Sequence, residues 1–488
     1  MYYNNIIYAY YTHYEIVNYD MGDCPLLEKM FSIYDNVYHK LTYYCYYDKE
    51  KKILYLPRGL DNNKLYDLTG KPIMNYVGEA SRFDKVSFSM KLTPRDDVQK
   101  ESIRYLLGKN EYAHTAGAPQ LILALIGGGG KTYCATAAMN ILGYKTMVIC
   151  HTEDLIKQWI DRFAQYTNIP SGSIVKLSSQ KELESYLNPD RDTSRMLKNV
   201  TVFITTHSLM HNFITKRGFD DTDKLFSNMG IGLKIIDEFH RNFMNTLLID
   251  YATNVKKTFY LSATPGRTDF LEDQIFQASF SRVYKFKRDS SDFGRESDTI
   301  CIYDLFSTVA SHFDLESMIV AKKFNIHRYT DYEMEKGVIL DRILFWLHWL
   351  FDGNRVTDGT VYVLSSKKES CDIIYNIITK EFPDKKTCVH YTGSKVDNVE
   401  DFNIVCGTVR MFGTGNDIEK LQAMIVAEPV GSEVNADQLI HRLMRGKNIG
   451  TTYNIDLVDK SVPNVYKMYR RRKRVYAKFA KKNIDFKS

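Results

Sequence analysis

From residue 92 to residue 283, short apolar runs alternate with longer stretches of helical spacing, and each run stops at Gly, Thr or Asp. Five runs have the length of strands: Gln120-Leu121-Ile122-Leu123-Ala124-Leu125, Thr146-Met147-Val148-Ile149-Cys150, Val202-Phe203-Ile204-Thr205, Leu233-Lys234-Ile235-Ile236 and Thr258-Phe259-Tyr260-Leu261-Ser262. Continuous apolar character suits strands covered on both faces, and helices between them predict βαβ units on a parallel sheet. After a less regular stretch the pattern resumes with Thr360-Val361-Tyr362-Val363-Leu364, Thr387-Cys388-Val389-His390, Asn403-Ile404-Val405-Cys406 and Ala423-Met424-Ile425-Val426. The expected fold class is α/β, with two successive parallel-sheet domains.

The first 90 residues read differently. Of 35 tyrosines, 13 precede Asp48, and the alternating runs Leu41 to Tyr47 and Lys52 to Leu56, broken at Pro57-Arg58-Gly59, predict a hairpin in a small α+β accessory domain. These tyrosines suit base stacking and equally suit a β-sheet. The expected divisions are an accessory, possible DNA-binding domain over 1–90, a first parallel-sheet domain over 91–285, a connector over 286–330, a second parallel-sheet domain over 331–462 and a basic helix over 463–488.

A chain of 488 residues exceeds one ordinary core, which agrees with several domains. No run approaches the roughly 18 apolar residues of a membrane span, and the first residues, Met1-Tyr2-Tyr3-Asn4-Asn5, lack the form of a secretion signal, so a cytoplasmic protein without membrane contact is expected. The eight cysteines form no C-x-x-C pair, which argues for reduced thiols rather than a zinc site. Net charge changes the picture in one place: residues 467–488 hold ten Lys or Arg against one Asp, more than the whole chain's excess of +6.

The chemistry begins at Leu125-Ile126-Gly127-Gly128-Gly129-Gly130-Lys131-Thr132, between an expected strand and an expected helix. Glycines let backbone N–H groups curl around phosphate oxygens without Cβ obstruction, so Gly127, Gly128, Gly129 and Gly130 are candidate nucleotide contacts. Lys131 reaches the terminal phosphates and Thr132 is suited to ligate Mg²⁺. About a hundred residues on, Asp237 and Glu238 end another strand: Asp237 suits Mg²⁺ held through water, and Glu238 suits orienting and deprotonating the attacking water. ATP and Mg²⁺ are therefore the expected substrate and ion.

Asp237-Glu238-Phe239-His240 resembles the D-E-x-H box of superfamily-two helicases, with His240 as its histidine. Ser262-Ala263-Thr264-Pro265-Gly266-Arg267-Thr268-Asp269 is similar to their third motif in the extended form of DNA-acting, UvsW-like phage and XPB-like members. The segment from Ile149 to Trp159 resembles the motif after the second strand, with His151 in place of the usual Pro. Gln438-Leu439-Ile440-His441-Arg442-Leu443-Met444-Arg445 matches the spacing of the sixth motif. Arg442 and Arg445 lie one helical turn apart and can both approach a γ-phosphate. Gly413-Thr414-Gly415-Asn416-Asp417, after Thr408, resembles the fifth motif. Gln99 stands where many relatives read adenine, and equally suits a polar helix surface.

The resemblance implies two tandem RecA-like P-loop domains. It also implies nucleic-acid contacts at Thr152, Thr205, Thr206, Ser365, Ser366 and Thr408, all hydroxyls that equally suit helix caps. Arg470, Arg471 and Arg472 of the basic tail suit phosphate or an acidic partner surface. The implied function is an ATP-dependent DNA helicase or translocase, a monomer working on single-stranded, duplex or branched DNA with viral or phage replication or recombination proteins as partners. An RNA helicase, a remodelling translocase that does not unwind, and an ATP-gated DNA-binding module are the alternatives.

Overall fold

A computed structural model describes residues 6–487 except 36–38, 76–82, 127, 264, 268–269, 289–297, 310, 321–322, 395, 397, 415–417, 432 and 445–449, and leaves out the side chains of 410, 413–414 and 433–435. The chain divides into two compact units, Met1–Phe293 and Gly294–Ser488. The division falls inside the stretch expected to be a connector.

The first unit is built on a seven-stranded sheet in the spatial order Ile174–Lys176, Val202–Thr206, Thr146–Cys150, Leu233–Asp237, Lys257–Ser262, Gln120–Leu125, Tyr284–Arg288. Every pairing is parallel. All five expected strands are present, and the central ones are buried on both faces, which is why their sequences are apolar without alternation. Helices begin where a hydroxyl can cap them: Thr152 accepts from the Leu155 N–H at 3.4 Å and Thr206 from the Leu209 N–H at 3.2 Å.

The N-terminal region forms a five-stranded sheet, Tyr46–Asp48, Ile53–Pro57, His13–Val17, Ile7–Ala9, Ile73–Asn75, that packs into the same unit. The expected hairpin is Tyr46–Asp48 with Ile53–Pro57, while Lys40–Tyr43 pairs instead with Ser32–Asp35. Its aromatic residues close the joint. Tyr44 stacks on Phe243 at 5.5 Å and accepts, through its carbonyl, from the Tyr251 hydroxyl at 2.7 Å. Tyr8, Tyr14, Tyr19, Tyr44 and Tyr55 are buried, so base stacking is closed to them.

The second unit repeats the winding. Its sheet runs Thr387–His390, Ile404–Thr408, Thr360–Ser365, Leu421–Val426, Thr452–Asp459, Thr299–Phe306, Lys482–Lys487, and all pairings are parallel. Numbered by appearance within each sheet, both orders read 3-4-2-5-6-1-7. Two expectations are corrected by this repeat. The stretch 286–330 is not only a connector, because Thr299–Phe306 is an interior strand. Nor is 463–488 one helix: the helix Pro463–Tyr476 is followed by the edge strand Lys482–Lys487.

That helix is pinned by Arg472, which is fully buried. Its Nε and Nη2 donate to Asp456 at 2.8 and 2.9 Å, and Nη1 donates to the Val430 carbonyl at 3.1 Å. The expectation that Arg472 contacts nucleic acid is therefore corrected; the side chain points into the core because all three of its nitrogens find an acceptor there. Removing one partner of a buried pair strands the other charge, so Arg472→Met is expected to destabilise the second unit by about 3–5 kcal/mol. Hydrogen exchange of the Thr452–Asp459 amides in the full chain measures this.

A second buried group sits on the helix Ile326–Lys336. Glu333 Oε1 lies 2.5 Å from the Thr308 hydroxyl, whose single proton is shared between Glu333 and Asp459. Burial first, and the Asp459 charge with it, push the Glu333 carboxyl from 4.5 to about 8, with the Thr308 bond opposing. A folded-state value above the unfolded one favours the protonated form. The contribution to stability is thus complete below about pH 4.5 and lost as pH rises through 8. Glu333→Gln is expected to flatten the fall in exchange protection of this unit across that window.

Candidate active site

Parallel pairing brings the candidate residues to one edge of the first sheet. The strand Lys257–Ser262 lies between the strand ending at Leu125 and the strand ending at Asp237, with Ser262 opposite Ala124 and Leu261 opposite Asp237. The turns that follow these strands therefore emerge side by side. After Leu125, the Gly129 N–H donates to the Ile126 carbonyl at 3.0 Å, and Gly128 and Gly130 have φ of +72° and +89°. Gly130 precedes the helix Lys131–Leu142, whose free N–H groups are suited to an anion. Gly127 lies outside the described residues.

Lys131 Nζ donates to the Leu125 carbonyl at 3.1 Å and stands 3.6 Å from Glu238 Oε1. Glu238 itself adopts φ +47°, an uncommon conformation for a residue with a side chain, held by the Arg241 N–H donating to its carbonyl at 2.9 Å. Beside it, Asp237 accepts from Trp159 Nε1 at 2.9 Å. Burial, then the Glu238 charge, raise the Asp237 carboxyl to about 6. Glu238 moves the other way, to about 2: burial opposes its ionisation, and Lys131, His240, Arg241 and His151 outweigh it. Two adjacent carboxyls are thus driven apart, Asp237 upward and Glu238 downward, with Glu238 the more readily ionised of the two.

His240 links this turn to the next. Its Nδ1 shares a hydrogen bond of 2.8 Å with the Ser262 hydroxyl, and burial lowers its pKa to about 4, so the ring is neutral. Its Nε2 has no hydrogen-bond partner among the described residues. Phe239, bulky for its position, fills an aromatic pocket of Tyr260, Phe276 and Phe280 with ring centroids 5.1 to 5.4 Å away. After Ser262, Arg267 pairs with Glu272 through Nε and Nη2 at 2.8 and 2.5 Å and caps the His240 carbonyl. Thr264, Thr268 and Asp269 lie outside the described residues.

Gln99 is buried against the glycine loop: a Cβ on Gly130 would come within 2.3 Å of its Nε2, while its Oε1 accepts from the Arg95 N–H at 2.8 Å. Thr132 stands at the start of the helix, one residue beyond Lys131. Mg²⁺ that arrives with a nucleotide needs few protein ligands, and the Thr132 hydroxyl with the Asp237 carboxylate fits that demand. No cluster of three or more His, Cys, Asp or Glu suited to hold a metal ion by itself occurs among the described residues.

The other candidate contacts divide. Thr152 and Thr206 cap helices at this same sheet edge, and the Thr205 hydroxyl is buried with no hydrogen-bond partner among the described residues. In the second unit Thr408 accepts from the Met411 N–H at 3.4 Å. Ser365 is fully buried and donates its hydroxyl to Glu428, which also accepts from the Ser366 N–H at 2.7 Å. The expected contact of Ser365 with nucleic acid is corrected accordingly, since its hydroxyl is spent on positioning the turn. Gln438 and Arg442 share the helix Glu433–Leu443, with the Arg442 guanidinium 5.7 Å from the Phe412 ring centre. His441 packs on Phe479 at 4.5 Å, which accounts for a side chain where the motif has glycine. Arg445 and residues 415–417 lie outside the described residues.

Trp159, Arg241 and Glu428 were given no role by sequence reasoning. Trp159 alone carried a local signal, its place in the motif after the second strand; the others act through distant partners. Gly130→Ala is expected to weaken ATP binding by about tenfold, because a left-handed conformation costs a side-chain residue roughly 1–2 kcal/mol and the Cβ meets Gln99. Titration with a fluorescent ATP analogue measures it.

Residues 91–267 match the family model described as Type III restriction enzyme, res subunit. No curated protein matches the chain in sequence. Similar solved structures include T4 UvsW, 15% identical over 99% of both chains with a TM-score of 0.37. The Pyrococcus furiosus Hef helicase domain is 14% identical over 76% of this chain and 99% of its own, with a TM-score of 0.45. S. cerevisiae Dbp5 bound to RNA and ADP BeF3 is 12% identical over 81% of this chain and 91% of its own, with a TM-score of 0.50, a likeness of fold. Residues 91–267 are a domain of the superfamily-two helicase type, and the chain that carries it is built as two tandem RecA-like domains preceded by a small β-rich region.

Proposed function

We propose that the protein is an ATP-driven motor that moves on or unwinds DNA. The observation that carries this is the meeting of Lys131, Asp237 and Glu238 at one sheet edge, with Glu238 ionised and 3.6 Å from the lysine. A nucleotide-binding module needs the glycine loop and the lysine. A charged carboxylate held in a left-handed turn beside them has a use only if water is to be activated.

In this reading Gly127 to Gly130 and the first turn of the following helix hold the phosphates of ATP, and Gln99 borders the site beside the loop. Lys131 moves from the Leu125 carbonyl to the terminal phosphates. Glu238 orients the attacking water and takes its proton. Neutral His240 offers Nε2 to the substrate side while Nδ1 registers the position of Ser262. When bound, Mg²⁺ held by Thr132 and Asp237 neutralises phosphate charge. Gln438, Arg442 and Arg445 of the second unit are the further proposed catalytic residues, since transition-state charge on the transferred phosphoryl group is met in such enzymes by arginine. Thr152, Thr206, Ser366 and Thr408 are the proposed contacts to the nucleic-acid backbone, while Thr205, fully buried, is withdrawn from that set. DNA is favoured by the extended form of the sequence motif from Ser262 to Asp269.

Lys131→Ala and Glu238→Gln are expected to abolish nucleic-acid-stimulated ATP hydrolysis, the second by about 10²–10⁴ while ATP binding persists. Steady-state hydrolysis with single-stranded, duplex and branched DNA and with RNA as stimulators measures this. Retained turnover in either variant would overturn the reading, and preferential stimulation by RNA would transfer it to an RNA motor.

A further inference from the structure

The helix Pro463–Tyr476 presents two faces of opposite character. Val465, Tyr469, Arg472, Val475 and Tyr476 are buried, which fixes the helix rigidly on its sheet. Tyr466, Lys467, Arg470, Arg471, Arg474 and, just past the helix end, Lys478 are exposed. At 3.6 residues per turn these six span an arc of about 140°, and none of the exposed arc is acidic. None of the five cations forms an ion pair or side-chain hydrogen bond with a described residue. The acids nearby are already committed: Asp456 to Arg472, Asp485 to Lys473 and Asp298 to Lys481.

We infer that this stripe is a phosphate track, a nucleic-acid-binding surface on the second unit separate from the sheet-edge residues of the motor. The inference takes nucleic acid as the partner from the reading above, but does not depend on ATP hydrolysis. An acidic protein surface needs no aromatic among the cations. Tyr466, 40% exposed and tilted on Tyr469 at 5.4 Å, gives a base a face to stack on within one turn of Arg470. From Lys467 to Arg474 the helix advances about 10 Å, which matches about three phosphates of one strand. Arg472, in the middle of the basic run, is the pin that holds the stripe outward rather than a member of it.

The test uses the full chain without ATP and a labelled single-stranded DNA, with affinity followed across salt concentration. Replacing Lys467, Arg470, Arg471, Arg474 and Lys478 together by Gln is expected to make the slope of log affinity against log salt shallower by about 2, for three phosphates at 0.7 each. Tyr466→Ala is expected to weaken binding about tenfold with no change of slope, the loss of one stacked base. Because a fivefold variant can misfold, the unaltered chain is also acetylated with and without DNA. Protection of Lys467 and Lys478, but not of exposed Lys64, supports the track. An unchanged slope, or equal acetylation in both samples, overturns it, as does equal protection by polyglutamate at the same charge concentration. A wild-type chain that shows slope and protection but no stimulated hydrolysis leaves the track standing and removes the motor.

Discussion

Parallel pairing is the constraint on which the rest of the first unit depends. In a sheet with no antiparallel member, every strand delivers its C-terminal residue to the same edge, and the helices that return the chain occupy both faces. Residues far apart in sequence, Lys131 and Glu238, are thereby brought within an ion pair's reach without any long-range contact designed for that end. The register of Lys257–Ser262 between its neighbours then decides which residues meet. A slip of one residue would turn Ser262 away from His240 and bury its hydroxyl on the opposite face.

Packing this edge creates its electrostatics. Trp159 supplies a hydrogen bond to Asp237 from the helix Glu153–Tyr166, and the aromatic pocket around Phe239 excludes water beneath the turn. In such surroundings the second charge costs more than the first, so the Asp237 carboxyl takes up a proton more readily than an ordinary carboxylate while Glu238 holds its charge. The left-handed Glu238 is the local cost of aiming its side chain at Lys131. Glycine would relax the backbone there and remove the carboxylate.

Much of this was legible in the sequence because it is local. Strand, glycine loop and helix fall within about twenty residues, and apolar runs buried on both faces announce themselves without periodicity. What could not be read is what partners decide from a distance. Arg472 belongs to the most basic stretch of the chain, yet is its one fully buried cation, because Asp456 and the Val430 carbonyl await it. Ser365 has the look of a strand-end hydroxyl open to a ligand, and Glu428 takes it. The edge strand Lys482–Lys487 is mostly exposed and polar, as edges are, so its pattern gives no apolar run to find.

The identical winding of the two sheets gives two of the misreadings, the connector and the C-terminal edge strand, a common origin. In both, the first strand in chain order lies inside the sheet, between the sixth and the seventh. In the first unit that strand ends in the glycine loop. In the second it is Thr299–Phe306, whose Asp304 binds Arg342 and Trp346 instead of preceding a phosphate cradle. Stripped of its motif, the strand was taken for part of a connector, and the seventh strand beside it was absorbed into a helix. The fold was duplicated but the cradle was not. In the proposed motor, nucleotide binding through a glycine loop therefore belongs to the first unit, while the second contributes through helix faces, where Arg442 and the exposed cations after Tyr466 stand.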